Sequence, residues 1–400
     1  MTATQPEHRP LGWVNILVLS AAQAMSQSGA AMVITVTALA GTYLAAQQAL
    51  VTLPLALQFV GTTAGTVPAA LLMGRFGRRI GFSLGQAIGA LSALLATYAI
   101  LQDDFWLFAA SSLGIGVHNA FWQQLRFAAF ETVNERHRAR AVSYVLAGGI
   151  VAAFAGPWLA VQTREFFAPV LFAGCYAALA ALSLATILML QGVRFAKPTP
   201  KADRHKGRPL GVIARQPAFI TAALSAALGY GAMSLVMTST PLAVVACGLG
   251  FDNAAFVIQW HVLAMYLPSF FTGNLINRFG VRRIIFVGVL LNAVAMAANL
   301  SGVELINFWF GLVAIGVGWN FMFIGGTTLL AESCKPEERP KVQALNEFLV
   351  FGTVTCASFL SGSLYSSFGW ATVNGALILP IGLTLAALGV LALRRAVPNA

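Results

Sequence analysis

Amide, histidine and arginine side chains occur inside a stretch of the sequence that is otherwise apolar. Asn119, Gln123 and Arg126 follow one another at intervals of four and three residues, which places them on one face of a helix, and His118 precedes them. A charge left in hydrocarbon costs at least about 2.5 kcal/mol, so an arginine here indicates a site for a solute or a coupling ion. The other interpretation is an anchor, because a long side chain near a helix end can reach the membrane surface.

Three titratable side chains could exchange protons in such a setting, namely His118, His261 and Glu347. Histidine is the side chain that titrates nearest to neutral pH. Glu347 begins an apolar stretch and shares a helix face with Gln343 and Asn346, so it could carry a coupling proton. It could equally be a residue that stabilises the start of a helix through the helix dipole. Both interpretations stay open.

No set of residues in the sequence has the spacing of a catalytic or metal site. Gly81 to Gly85 read Gly-Phe-Ser-Leu-Gly, which matches the nucleophile turn of some hydrolases. Together with Gly89, however, these glycines recur every four residues and predict close helix packing. The four cysteines lie far apart, so we expect neither a disulfide framework nor a metal site. The sequence therefore predicts a protein that is not an enzyme and needs no cofactor.

Composition places the elements that hold these residues in a membrane. Of the 400 residues, 58% are hydrophobic and 9% are charged, whereas soluble domains carry about 25% charged residues. Apolar stretches of at least about 18 residues recur along the chain, and each could cross about 30 Å of hydrocarbon as a helix. We predict twelve such helices and an all-α, polytopic membrane protein.

The basic residues are distributed unevenly about these predicted helices. With both chain ends on the cytoplasmic side, 23 of the 24 Lys and Arg residues fall in cytoplasmic segments, and Arg164 alone lies outside. This asymmetry follows the positive-inside rule, so it predicts cytoplasmic N- and C-termini. It also explains the net charge of +11 without a nucleic-acid partner. No basic segment has the interleaved aromatic residues of a single-strand channel.

Two basic turns share one pattern and indicate an internal repeat. Arg75 to Arg79 read Arg-Phe-Gly-Arg-Arg, and Arg278 to Arg283 read Arg-Phe-Gly-Val-Arg-Arg, 203 positions later. The turns resemble the motif Gly-x-x-x-Asp-Arg-x-Gly-Arg-Arg of the major facilitator superfamily of secondary transporters. In that family the motif joins helices two and three, and a weaker copy joins helices eight and nine. Here Gly74 and Asn277 stand where the motif has its acid, and Ala70 and Gly273 stand at its leading glycine.

The resemblance implies two six-helix bundles, at residues 1–192 and 213–400, joined by a basic cytoplasmic linker at 193–212. It also implies a solute site between the bundles, lined by helices one, four, seven and ten, and rocking of the bundles about that site. The residues that it assigns to solute contacts are Gln27, His118, Asn119, Gln123, Arg126, Met237, Thr240, Trp319 and Asn320. Those that it assigns to gating or coupling in helices two, eight and eleven are Gln58, Trp260, His261 and Glu347.

Charges at and near the basic turns predict a gate on the cytoplasmic side, closed when the solute site faces outward. Exposed ion pairs contribute only about 0–1 kcal/mol each. That is enough to shift the balance between two states of nearly equal free energy. The expected pairs are Arg78 and Arg79 with Glu131 or Glu135, and Arg282 and Arg283 with Glu332, Glu337 or Glu338.

The predicted function is secondary active transport of a small organic solute by alternating access. Trp, Met, amide and hydroxyl groups among the assigned residues suit a neutral or anionic solute with an apolar or aromatic body. The first helix has no acid, which disfavours a cationic solute, and the histidines and Glu347 would allow coupling to protons. The alternatives are a multidrug or metabolite efflux antiporter and a non-transporting sensor with the same fold. We expect a monomer in the lipid bilayer of the cell membrane, which is the inner membrane if the source is Gram-negative.

Overall fold

The computed structural model describes residues 13–125, 128, 144–145, 148–193, 195, 208–335 and 338–396, and these residues are almost entirely helical. Within these residues, six α-helices precede the linker and are called the N half: α1 (Trp13–Leu44), α2 (Leu53–Phe76), α3 (Arg78–Leu101), α4 (Phe105–Trp122), α5 (Gly148–Thr163) and α6 (Ala173–Leu190). Those after it, called the C half, are α7 (Pro217–Ala246), the broken helix α8a (Phe251–Tyr266) and α8b (Ser269–Phe279), α9 (Val281–Leu300), α10 (Leu305–Ser333), α11 (Arg339–Gly375) and α12 (Ile378–Ala396).

Large apolar side chains cover the outward faces of these helices. Leu91, Trp158 and Leu188, for example, are 69%, 60% and 75% exposed, as side chains in contact with lipid would be. In the described part of the chain, eight helical stretches are long and apolar enough to cross a membrane, or nine if the bent α8 counts as one. One of the eight, Lys341–Leu393, contains both α11 and α12. The prediction of an all-α membrane protein is confirmed, and the count of twelve stays a prediction.

Helix α8 is interrupted at Leu267 and Pro268, and its two parts meet at an angle of 43°. Proline has no amide hydrogen, and its ring clashes with the carbonyl group four residues earlier, so it ends the regular hydrogen-bond ladder of a helix. We did not predict this break from the sequence, because the apolar stretch continues across Pro268.

The two basic turns share one backbone conformation. Gly77 between α2 and α3 has a φ of 88°, and Gly280 between α8b and α9 has a φ of 87°. A residue with a Cβ atom rarely adopts a positive φ, whereas glycine adopts it readily. The repeated Arg-Phe-Gly pattern therefore encodes a turn that reverses the chain between two helices.

The end of the molecule that carries these turns is called the basic end, and there each half packs its own hydrophobic core. In the N half this core contains Leu19, Met73 and Phe121. In the C half it contains Phe219 and Leu330. Among the described residues, neither of these two clusters includes a side chain from the other half.

At the opposite end, called the outer end, the buried clusters combine residues of both halves. Leu242 of α7 packs within the cluster of the N half, and Ala153 of α5 packs within the cluster of the C half. The most extensive contacts between the halves join α5 to α8a and α2 to α11. The structure is therefore closed between the halves at the outer end, while the cores at the basic end are separate.

Candidate solute site between the two halves

Five aromatic side chains of the C half form a cluster where α7, α8a, α10 and α11 meet. Trp319 and Phe323 are one helical turn apart on α10, and their rings stack with centroids 5.3 Å apart and planes 8° from parallel. The Tyr230 ring on α7 meets both of them edge-on, at 5.2 and 5.6 Å, and the Phe351 ring on α11 lies 6.1 Å from Tyr230. Tyr266, the last residue of α8a, packs edge-on against Trp319 at 6.0 Å. These five side chains are called the aromatic cluster.

The N half approaches the aromatic cluster through α1 and α5. A methyl group added at Gly149 of α5 would lie 2.8 Å from the ring of Tyr266 and 3.2 Å from the Nε2 atom of Gln27. Gln27 of α1 in turn accepts a hydrogen bond of 3.1 Å from the Nε2 atom of Gln23. The absence of a side chain at Gly149 thus allows Tyr266 of one half and Gln27 of the other to converge.

Two polar atoms near this convergence have no hydrogen-bond partner among the described residues. They are the indole Nε1 of Trp319 and the Oε1 atom of Gln23, and both are buried. A buried donor or acceptor without a partner costs about 1–3 kcal/mol. A solute that accepted one bond and donated another would remove that cost, so the site favours a planar solute with polar groups at its edge.

Some residues that were assigned to solute contacts lie at this site and others do not. Gln27 and Trp319 are part of it, and buried Met237 belongs to the same hydrophobic cluster as Trp319. Thr240 is fully buried and donates its hydroxyl hydrogen to the carbonyl oxygen of Val236 one turn earlier. The hydroxyl of Thr240 therefore bonds within α7.

The polar residues of α4 mostly bond within the N half. The Nδ1 atom of His118 lies 3.0 Å from the carbonyl oxygen of Gly85 on α3. Asn119 accepts a hydrogen bond of 2.9 Å from the indole of Trp122. Gln123 is half-buried at the end of α4, and Arg126 lies outside the described residues. His118 and Asn119 therefore make their hydrogen bonds inside the N half.

Asn320, although next to Trp319 in sequence, bonds to the break in α8. Its amide nitrogen donates to the carbonyl oxygen of Met265 and to the hydroxyl of Ser269, both at 2.7 Å. Its amide oxygen accepts from the hydroxyl of Thr272, also at 2.7 Å. Asn320 thus satisfies polar groups on both sides of Pro268, and the structure brings its side chain to that break.

The gating candidates of α2 and α8a contact α4 and α10 of their own halves. The Nδ1 atom of His261 lies 2.8 Å from the carbonyl oxygen of Leu312 on α10. The ring of Trp260 packs edge-on against Trp309 at 5.9 Å. Gln58 is buried, and its backbone carbonyl lies where α2 crosses α4. Glu347, by contrast, is half-buried one turn before Phe351 of the aromatic cluster.

The charged turns are arranged differently in the two halves. In the N half, Arg79 donates a hydrogen bond of 2.7 Å to the carbonyl oxygen of Val193 at the end of α6, and Arg78 lies 3.6 Å from the sulfur of Met73. In the C half, Arg282 and Arg283 line a cavity of about 850 Å³ that Glu332 also lines. No ion pair within 4.0 Å joins either arginine to Glu332 in the described part of the chain. Glu131, Glu135 and Glu337 lie outside the described residues.

Glu338, one of the expected partners of Arg282 and Arg283, is bound by another arginine. The guanidinium of Arg208 donates to both of its carboxylate oxygens, at 2.9 and 2.8 Å. The backbone N–H groups of Arg208 and Lys335 donate to it as well, at 2.8 and 2.9 Å. Hydrogen bonding to Arg208 and then to the Lys335 N–H holds the pKa of Glu338 well below its usual range. Arg208 thus ties the linker to Glu338 at the start of α11. We did not predict this pair from the sequence.

The outer end contains an ionic contact between the halves that we did not predict. Arg164, just after α5, donates from Nη1 to the carboxylate of Asp252 in α8a at 3.0 Å. The same guanidinium lies 4.7 Å above the ring of Phe251, and that ring lies 5.7 Å from the ring of Phe172. One sequence feature could have indicated this contact. Arg164 is the one Lys or Arg residue that the predicted topology places outside the cytoplasmic segments. These four residues are called the outer latch.

Comparison with known proteins places the architecture in a family. The sequence model of the Major Facilitator Superfamily matches residues 17–267 and 252–400. Riboflavin transporter RfnT of Brucella anthropi is 42% identical over 370 residues, which cover 92% of each chain. The uncharacterized MFS-type transporter YddS of Bacillus subtilis is 30% identical over 339 residues, covering 79% of this chain and 78% of that one.

Solved structures share the fold at low sequence identity. A bacterial homologue of the human lysosomal transporter Spinster superimposes with a TM-score of 0.72 at 15% identity, covering 94% of this chain and 95% of that one. The nucleoside transporter NupG gives a TM-score of 0.69 at 11% identity, with coverages of 94% and 98%. At these identities the likeness concerns the fold alone.

Proposed function

Because the chain belongs to the major facilitator superfamily of membrane transporters, we propose that its solute is riboflavin or a closely related flavin. The family establishes a multi-pass membrane protein that carries a small molecule and is not an enzyme. The relative that is 42% identical over 92% of both chains is a riboflavin transporter. That relative supports the choice of solute, and the chemistry of the site supports it independently.

The observation that carries the proposal is the aromatic cluster. The isoalloxazine ring system of a flavin is planar, fused and largely apolar, and it has carbonyl and N–H groups at one edge. Aromatic contacts contribute about 0.5–1.5 kcal/mol each beyond the burial of area, and Trp319, Phe323 and Tyr230 offer several. The Trp319 indole and the Gln23 and Gln27 amides supply the polar contacts that the ring edge and the ribityl hydroxyls need.

The proposed transport cycle alternates access to the solute site between the outer end and the basic end. In this structure the outer end is closed by contacts between the halves, so the solute site would exchange with the basic end. Rocking of the halves about the site would open the outer end and close the basic end. The predicted pairs of Arg282 and Arg283 with Glu332 belong to that second state. We retain the bundles at 1–192 and 213–400 and the linker at 193–212 as part of this proposal.

Coupling to protons is the remaining element of the proposal. Riboflavin is neutral, so the site needs no opposite charge for the solute itself. Glu347 is half-buried one turn from Phe351 of the aromatic cluster, which makes it a coupling candidate beside His118 and His261. We place the protein as a monomer in the cytoplasmic membrane, with the basic end and both termini inside.

Riboflavin uptake and binding test this function directly. In cells that cannot synthesise riboflavin, the wild-type protein should support growth on low external riboflavin, and the purified protein should quench flavin fluorescence. Trp319→Ala should weaken flavin binding by about 10-fold or more, because it removes the stacked ring. Trp309→Ala is the matched control, since Trp309 lies on the same helix but packs against Trp260.

Two results would overturn the choice of solute. If folded wild-type protein neither binds nor carries riboflavin, the flavin proposal is wrong and the site serves another planar solute. Equal loss of binding in the Trp319 and Trp309 variants would show that the aromatic cluster has no special role. Flavin efflux from loaded cells, without uptake, would favour the efflux antiporter. Binding without movement in either direction would favour the sensor.

A further inference from the structure

The cavity of about 850 Å³ at the basic end has a polar rim and an apolar wall. It lies between the turn that joins α8b to α9 and the ends of α10 and α12, and it is called the basic groove. Arg282, Arg283 and Asn277 provide the rim, and Glu332 is the one acid among the described residues that line it. The apolar wall includes Phe286 and Leu388. The described residues of the basic groove thus carry one positive charge more than negative charges, and they place it beside apolar side chains.

The guanidinium groups of the basic groove lack acceptors that the other half provides. In the N half, the equivalent of Arg282 is Arg79, 203 positions earlier, and Arg79 donates to the carbonyl oxygen of Val193 at 2.7 Å. Neither Arg282 nor Arg283 has such a hydrogen bond or an ion pair among the described residues. Ile80 occupies the position equivalent to Arg283. Each turn carries three arginines, but within the described part of the chain Arg282 and Arg283 have no acceptor like the one that Val193 offers to Arg79.

The apolar wall continues from the rim towards the lipid-facing surface of the protein. Phe286 is one turn along α9 from Arg282 and is 45% exposed, and Leu388 and Ala392 line the groove from α12. Such a groove fits a molecule with an anionic head and a hydrocarbon tail. The N-terminus of α9, where Arg282 and Arg283 lie, adds the positive end of a helix dipole to the rim.

We infer that the basic groove binds an anionic phospholipid, with its phosphate at Arg282 and Arg283 and an acyl chain along Phe286 and Leu388. Basic residues near an anionic leaflet are worth about 1 kcal/mol each, a factor of about 5 in affinity. Glu332 opposes part of this attraction. A bound lipid would occupy the two arginines in the state seen here, in which they do not pair with Glu332. The inference does not depend on which solute the transporter carries.

The test compares lipids that differ only in the charge of their head group. Purified protein in a neutral detergent is melted with added phosphatidylglycerol or with phosphatidylcholine of the same acyl chains, and a third arm contains inorganic phosphate. Phosphatidylglycerol should raise the melting temperature of the wild type, because a ligand of the folded state stabilises it by mass action. In R282Q/R283Q the apparent affinity for this lipid should fall by about 25-fold.

A second double variant removes the same charge at the same end. Arg75 and Arg278 occupy equivalent positions in the two turns, and each guanidinium lies over the ring of the following phenylalanine, at 5.3 and 5.2 Å. Neither arginine lines the basic groove. In R75Q/R278Q, phosphatidylglycerol should therefore raise the melting temperature as much as it does in the wild type. If R282Q/R283Q does not fold, the single variants R282Q and R283Q replace it, each with about a 5-fold loss.

Four outcomes would overturn the inference. The first two are a rise in melting temperature with phosphatidylcholine equal to that with phosphatidylglycerol, and an unchanged rise with phosphatidylglycerol in R282Q/R283Q. The other two are a loss of lipid affinity in R75Q/R278Q as large as that in R282Q/R283Q, and a full rise in melting temperature with inorganic phosphate alone. The last of these would identify a site for a soluble anion. A gain that is specific to phosphatidylglycerol and to Arg282 and Arg283 would support the lipid site.

Discussion

At the scale of single residues, the contact of Arg208 with Glu338 gives a stability that depends on pH. The bidentate guanidinium lowers the pKa of Glu338 in the folded protein, while the unfolded chain should titrate near the ordinary glutamate value of about 4.3. A group whose pKa is depressed by folding stabilises the folded state above its unfolded pKa. That contribution is lost as the pH falls below it, because the unfolded chain then binds the proton more readily.

Glu338→Gln tests this contact. At pH 7 the variant should melt at a lower temperature than the wild type, and the difference should shrink progressively from about pH 5 downwards. Glu332→Gln is the control, because Glu332 has no ion pair among the described residues. Thermal melts of both variants between pH 7.5 and pH 4 provide the measurement. A difference that does not change over this range would mean that the Glu338 carboxylate is not held by charge.

Residue types predicted part of the candidate site, and their neighbours decided the rest. Trp319 and Gln27 were assigned to solute contacts because the family resemblance implies that helices one and ten line the solute site. Asn320 follows Trp319 in the same helix and was assigned to solute contacts with it. Its side-chain amide instead forms hydrogen bonds with Met265, Ser269 and Thr272. That partner set exists only because Pro268 breaks α8. A pattern in one helix does not show which neighbour its polar side chains will meet.

At the scale of elements, the outer latch connects the segment after α5 to the start of α8a. The Arg164 side chain is 24% exposed and that of Asp252 is 72% exposed. The ion pair is thus worth about 0–1 kcal/mol, and the contact with Phe251 adds about 0.5–1 kcal/mol. Together they would favour the closed outer end by a factor of about 2 to 30.

Loss of the outer latch should increase the fraction of molecules that are open at the outer end. Leu242→Cys in a Cys247→Ser background provides a reporter, since Leu242 is 8% exposed and packs against the N half. In Arg164→Gln, labelling of that cysteine by an impermeant maleimide from outside should accelerate by about 2-fold to 30-fold. Glu165→Gln removes the neighbouring acid of Arg164 within the same half, so labelling should remain slow there. Unchanged labelling in Arg164→Gln would exclude a role for the latch in gating.

Helices were the most predictable elements of this protein, and their interruptions were the least. Apolar stretches and the two basic turns indicated α2, α3 and α9, because a span of hydrocarbon must satisfy every backbone polar group within one helix. The break of α8 and the pairing of Arg164 with Asp252 depend on contacts between distant segments. Such contacts produce no repeating pattern of residue types in the sequence, so only the structure revealed them.

At the scale of the whole molecule, the closed outer end and the separate cores at the basic end predict that binding and transport can be uncoupled. Thr52 at the start of α2 faces Gly362 of α11, where an added Cβ atom would lie 2.9 Å from the Cβ of Thr52. Disulfides need Cβ atoms about 3.5–4.5 Å apart, so a small outward shift of either helix would accommodate one. Thr52→Cys with Gly362→Cys should therefore join the two halves covalently at the outer end.

Oxidation of this pair should stop transport of the solute while its binding from the basic end persists, and a reductant should restore transport. The reason is that a crosslink at the outer end would block the rocking motion but leave the aromatic cluster and the separate cores at the basic end unchanged. Cys247, Cys334 and Cys356, which are exposed or half-buried, are replaced by serine so that no other disulfide forms, and each single cysteine variant serves as a control. Transport that continues with the crosslink in place would mean that the solute moves without separation of the halves at the outer end, which would contradict alternating access in this protein.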